Sequence, residues 1–148
     1  MITIETKSFS ELSTDELYKI LRLRSEVFVV EQDCVYQDID NKDQKALHVI
    51  GYKAGDVVAY TRVFKAGDYF EEASIGRVVV KDSEREHKYG YDIMKASVDA
   101  IDTYFNDAHI KISAQTYLKR FYNNLDFFEV GEEYLEDGIP HIQMVYKK

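Results

Sequence analysis

Residues 83–91 read SEREHKYGY and directly follow a β-branched run, IGRVVV. Arg85, Glu86, His87, Lys88, Tyr89, Gly90 and Tyr91 therefore crowd a point where a strand feeds a helix. The amides of a first helical turn have no intrahelical partner, so such a junction is a ready anion site. Arg85 and Lys88 would add charge-assisted bonds to a phosphate held there. The same stretch also spells Ser83-x-x-Glu86, a capping box at the start of a charged surface helix. A loop with one glycine leaves both readings open.

A second stretch, YLKRFYNNLDFF, sets Tyr122 among Phe121, Leu125 and Phe127 on a short helix. Taken alone, this is a core-packing pattern. His48, His87, His109 and His141 have no metal-ligand spacing with one another, and Cys34 stands alone, so no zinc site is expected. DIDNKD is superficially like a calcium loop, but Lys42 sits at the third ligand position and no glycine follows. No metal is expected there either.

These residues need a scaffold. The 148 residues are 45% apolar and 31% charged, a globular balance that fits one domain spanning 1–148 with a real core. The net charge of −8 argues against nucleic acid, whose binders need cations to neutralise phosphates. One cysteine excludes an intrachain disulfide and fits a reducing compartment. The start, MITIETKSF, has no apolar signal region, and no run approaches a membrane span. A cytoplasmic protein without membrane contact is expected.

Along the chain, Ile2–Phe9 reads as a strand. Ser13-x-x-Glu16 caps an amphipathic helix carrying Leu17, Ile20, Leu21, Arg24 and Phe28. The acidic stretch EQDCVYQDIDNKDQ has neither period and reads as a functional loop. ALHVIGYK and VVAYTRVFK flank Ala54-Gly55-Asp56, a hairpin signal. SIGRVVVK is a fourth strand, followed by a helix with a stripe of Ile93, Met94, Ser97, Val98, Ile101, Tyr104 and Phe105. HIKISAQ, the Tyr122 helix and two strands around Glu136-Asp137-Gly138 complete the order β-α-β-β-β-α-β-α-β-β. This is a mixed α/β fold with a mostly antiparallel sheet and at least one crossover.

Arg85-x-x-Lys88-x-Gly90 resembles the Gln/Arg-x-x-Gly-x-Gly/Ala loop of the GCN5-related N-acetyltransferases. Phe121-Tyr122 and Phe127 resemble that family's Ala-x-x-Phe-Tyr-x-x-x-Gly-Phe segment, with Asp126 in the glycine's place. LRLRSEVFVVEQDCVYQDIDNKDQ and EDGIPHIQM resemble its ElaA-like branch, in which a lysine at the middle loop position is expected. A side chain is tolerated at Lys88 if its φ is negative. Asp is among the few residues that tolerate a left-handed conformation at 126.

The resemblance implies a sheet splayed between the fourth and fifth strands, with acetyl-coenzyme A held in the gap. Val78, Val79 and Val80 would line the pantetheine arm, and residues 85–91 would hold the pyrophosphate. The Val79 N–H would face the thioester oxygen. Tyr122, protonated at neutral pH, would act as general acid toward the leaving thiolate. Glu31, Asp38, His48 and His141 are the candidates for the acceptor pocket, which would take a primary amine of a small molecule or peptide. A non-catalytic acyl-coenzyme A sensor or partner-binding module on the same fold is the alternative, motivated by Lys88 and Asp126. A third reading is an α/β interaction domain whose acidic loop binds a basic partner. Exposed edge strands leave a homodimer open.

Overall fold

A computed structural model describes residues 2–147. Seven strands form one sheet: β1 (Thr3–Ser8), β2 (Leu47–Lys53), β3 (Asp56–Phe64), β4 (Ala73–Val80), β5 (Ile110–Gln115), β6 (Phe127–Glu136) and β7 (Ile139–Tyr146). Their spatial order is β1-β2-β3-β4-β5-β7-β6. All neighbours are antiparallel except β4 and β5, which run parallel. Antiparallel neighbours need only a turn, and the chain supplies two. Ala54 and Gly55 have φ of 52° and 84°, and Asp137 and Gly138 have φ of 53° and 78°, the paired positive values of a tight hairpin. The parallel pair needs a crossover, supplied by the helix between β4 and β5.

That helix is α2 (Tyr89–Phe105), and α3 (Lys119–Asn123) packs into the same core cluster. Its buried residues are Tyr89, Ile93, Met94, Ser97, Ala100 and Ile101. Tyr104, expected in the stripe, is exposed. On the opposite face, α1 (Thr14–Arg24) packs Ile20 and Leu23 with Ile50, Tyr60 and Val79. Its N-terminus carries the expected box: Ser13 N–H donates to Glu16 at 2.9 Å, and Glu16 N–H donates to Ser13 Oγ at 3.0 Å. The buried stripe is Ile20, Leu23, Arg24 and Val27, whereas Leu17, Leu21 and Phe28 are only half-buried. Part of the difference is that Ser25–Glu31 continues α1 as a π-helical segment, which changes the period. Covered on both faces, β3 is buried from Val57 to Phe64, which is why it reads as a nearly unbroken apolar run.

Candidate active site

The site begins with a defect in β4. Tyr60 pairs with Val79 and Arg62 with Gly76, so Thr61 on β3 opposes both Arg77 and Val78. This is a β-bulge, and Arg77 takes the positive φ of 49°. Beyond Ala73–Ile110 and Ser74–Lys111, β4 and β5 no longer pair. The gap is a cavity of about 120 Å³ whose walls include Gly76, Arg77 and Val78 on one side and Ile112, Ser113 and Gln115 on the other. This is the expected splay.

Strand alternation decides which β4 amides face the gap. Lys81 N–H donates to Val58 O at 2.8 Å, so residues 81 and 58 form a hydrogen-bonded pair. Val80–Ala59 is then a non-bonded pair, and Val79–Tyr60 a bonded one. The Val79 N–H thus points into the β3 ladder, which corrects its expected role as oxyanion donor. The amides of Val78 and Val80 point the other way, away from β3, and Val78 lines the cavity. On that open side the Val80 carbonyl accepts a 3.0 Å bond from Arg85 Nε.

Residues Asp82–His87 form a 3₁₀ turn, and α2 then starts at Tyr89 without a side-chain cap. The Ser83-x-x-Glu86 box therefore does not cap α2. Lys88 sits between turn and helix with φ of 61°, a left-handed residue, so the condition of a negative φ for a side chain there is not met. Arg85 pairs with both carboxylate oxygens of Glu31, at 2.6 and 2.9 Å, and with Asp82 at 3.2 Å. Glu86 and His87 are exposed, and the His87 ring lies 5.3 Å from that of Tyr89. Gly90 is helical, and its lack of a side chain has a packing cause. A Cβ there would meet the Phe121 ring at 3.1 and 3.2 Å. The Phe121 ring also packs on that of Tyr91, at 4.9 Å. The start of α2 and the Tyr122 helix are thus in direct contact.

Tyr122 is 5% exposed and lies edge-on to Phe121 and Phe127. Among the described residues nothing hydrogen-bonds its hydroxyl, and the residue lines the cleft together with Val78. Burial, followed by the nearby Tyr117, pushes its ionisation well above the usual phenol range, so it holds its proton throughout the neutral range. Asp126, which follows α3, has φ of 70°, the left-handed conformation anticipated for it.

The acidic loop turns inward. Asp38 accepts from Arg24 Nε and Tyr36, each at 2.9 Å. Asp43 bridges Arg24 at 2.9 Å and Arg62 at 3.0 Å, and Asp40 accepts from Arg62 at 2.7 and 2.9 Å. Arg77, the bulge residue, lies 2.8 Å from Asp38, with its N–H off the hydrogen-bond axis, and 3.3 Å from Asp40. Three arginines neutralise three aspartates and anchor the bulge.

The candidates for the acceptor pocket are therefore separated. Asp38 is buried in this ion cluster behind the wall. His48 is fully buried: its Nε2–H donates to Asp43 O at 2.9 Å, and its Nδ1 accepts from Tyr60 at 2.6 Å. Burial first of all lowers its pKa, so the ring is neutral and structural. Glu31 is committed to Arg85. Of the four, His141 lines the cleft. Cys34 also lines it and donates to Asp137 O at 3.5 Å. Sequence reasoning missed the arginines, whose partners lie 14 to 39 residues away, and Glu136, which stands beside His141 in the motif EDGIPHIQM.

Comparisons with known proteins agree with this geometry. The model of the acetyltransferase (GNAT) domain matches residues 9–148. Protein ElaA of Escherichia coli is 42% identical over 97% of this chain and 95% of its own. The crystal structure of that protein superposes with a TM-score of 0.92 over 99% of this chain and 100% of the other. An acyl-CoA N-acyltransferase from Pseudomonas aeruginosa, 35% identical, superposes at 0.93 over the same shares. A matching family model, full-length relatives and a shared fold lead to one conclusion: the chain belongs to the GNAT acetyltransferase family, beside ElaA.

Proposed function

We propose that this protein transfers an acetyl group from acetyl-coenzyme A to a primary amine by direct attack on the thioester. The observation that carries this reading is the pair of β4 amides, Val78 and Val80, that turn away from β3 where β4 and β5 no longer pair. A pantetheine arm is itself an amide chain, and such an edge pairs with it as with a strand. Its pyrophosphate then reaches Lys88 and the first turn of α2, where backbone amides and cations favour an anion.

Each step has a group in this chain. The Val78 N–H stabilises the oxyanion in a site shielded from water. Tyr122 hydrogen-bonds the departing sulfur, and its high ionisation range makes it a donor through the reaction. The relative from Pseudomonas aeruginosa is described as an acyl-CoA N-acyltransferase, which supports the donor class.

Titration calorimetry with acetyl-coenzyme A, followed by mass spectrometry of an amine and peptide panel, tests the proposal. Expected are saturable binding and an acetylated product. No binding overturns the reading, and binding without any product leaves a sensor on the same fold.

A further inference from the structure

The lining of the cleft includes a polar cluster to which the transfer reading above gives no part. Ser113 comes from β5, and Tyr134, Glu136 and His141 from the β6–β7 hairpin. His141 is 7% exposed, and its Nδ1 lies 2.7 Å from the Ile139 carbonyl oxygen. A carbonyl only accepts, so Nδ1 carries a proton and the neutral ring keeps its lone pair on Nε2. Nε2 is 3.6 Å from Glu136, beyond hydrogen-bond range, so that lone pair is unspent.

Glu136 is also held in place. Ser113 Oγ–H donates to it at 3.1 Å, which makes the Tyr134 hydroxyl the donor in its short bond to Ser113. Tyr134 stacks on the His141 ring at 6.1 Å. Arg62 and Arg77 also line the cleft, but Asp38, Asp40 and Asp43 neutralise them. Among the lining residues this leaves the carboxylates of Glu136 and Asp137 as the charges without a Lys or Arg partner. Among the described lining residues no free Lys or Arg stands ready for a substrate carboxylate.

We propose that His141 Nε2 takes the proton of the acceptor amine, that Glu136 holds the ammonium beforehand, and that the acceptor is a cationic primary amine without an adjacent carboxylate. The inference rests on the acetyl-transfer reading above. The ammonium docks on Glu136 and gives one proton to Nε2. Its freed lone pair forms the C–N bond, and the carbonyl pair moves onto oxygen against the Val78 N–H. On collapse the C–S bond breaks with its electron pair on sulfur. Sulfur takes a proton from Tyr122, which is replaced by the second amine proton, and His141 returns its own to solvent. Amide, thiol and one proton result. Glu136 and Tyr134 face His141 from β6, and Asp137 and Cys34 line the same cleft. β5 offers only Ser113 and Gln115, the latter paired with His141.

The test is steady-state acetylation of alkylamines and amino acids as a function of pH. His141→Gln keeps the side chain's bulk but takes no proton. It is expected to lower kcat/KM about 100-fold and to abolish the acid limb of its pH profile. The Kd for acetyl-coenzyme A should stay within about twofold. Glu136→Gln is expected to raise the amine KM about 10-fold and to change kcat less. A His141→Gln variant that keeps the acid limb, or falls less than about threefold in kcat/KM, overturns the inference. If that variant fails to fold, an unchanged amine KM in Glu136→Gln overturns it instead. A wild type that prefers α-amino acids to alkylamines removes the substrate class. A wild type that acetylates nothing overturns the transfer reading itself, and the two failures are thereby told apart.

Discussion

Arg85 and Glu31 meet fork to fork, 54 residues apart in sequence, with the two guanidinium nitrogens 2.6 and 2.9 Å from the carboxylate oxygens. The pair ties the turn before α2 to the end of the π-helical segment. If the proposed pyrophosphate binds at that turn, the Glu31 carboxylate competes with its oxygens for one guanidinium. Glu31→Gln is expected to tighten acetyl-coenzyme A binding by about twofold to fivefold, within the range of a partly exposed pair. Calorimetry reads this directly. A weaker affinity would mean that Glu31 serves mainly to hold Arg85 in position.

Lys88 carries two opposed contributions. Its φ of 61° is costly for a side chain, so Lys88→Gly is expected to raise unfolding stability by about 1 kcal/mol. The lost cation should weaken coenzyme A binding about threefold and reduce its dependence on salt. Urea unfolding and calorimetry at two ionic strengths separate the two effects. Tighter binding would refute the charge contribution.

Tyr122→Phe removes a hydroxyl that nothing among the described residues bonds. Stability should therefore change by less than about 0.5 kcal/mol. In contrast, kcat should fall about 100-fold at unchanged acetyl-coenzyme A affinity. Equal turnover in the variant would take Tyr122 out of the reaction.

Acid should dismantle the ion cluster. Burial alone would raise the Asp40 pKa, but hydrogen bonds and charge from Arg62, with Arg77, hold it at about 2. Asp43 is lowered in the same way by Arg24 and Arg62 against its burial. Both folded values lie below the unfolded carboxylate value near 4, so their stabilisation is present above about pH 4 and is lost as pH falls toward 2. Thermal unfolding should show that acid limb, and Asp40→Asn should flatten it. Asp43→Ala leaves Arg24 and Arg62 short of a buried partner and should cost about 3–5 kcal/mol at neutral pH.

What the chain discloses before folding follows from the range of each signal. Periodicity and turn chemistry are local, so β3, α2 and the turns at Ala54-Gly55 and Asp137-Gly138 are legible in the sequence. The Arg85–Gly90 loop is legible through its motif. The bulge at Arg77 is not, because one extra residue in a strand leaves no mark in composition. Val78 and Val79 are equivalent in sequence, and only the Lys81–Val58 bond, from which the alternation along β4 is counted, tells their amides apart. The aspartates of the acidic loop read as a solvated or ligand-binding surface, because their arginine partners lie on α1, β3 and β4. His48 and His141 are equivalent in sequence, and only burial and hydrogen-bond partners distinguish a structural ring from one with a free lone pair.

The two rungs that join β4 to β5 have a thermodynamic consequence. They are the direct seam between a four-stranded leaf, β1 to β4, and a three-stranded leaf, β5, β7 and β6. A donor whose amide arm lies along Val78 and Val80 would work as the strand the sheet lacks. Its binding energy is then also cohesion between the leaves, and occupancy at 100 times Kd would add about 2.7 kcal/mol to the folded state. On the proposed reading the chain would be most cohesive when charged with its donor, and would loosen along this seam on release of the spent thiol.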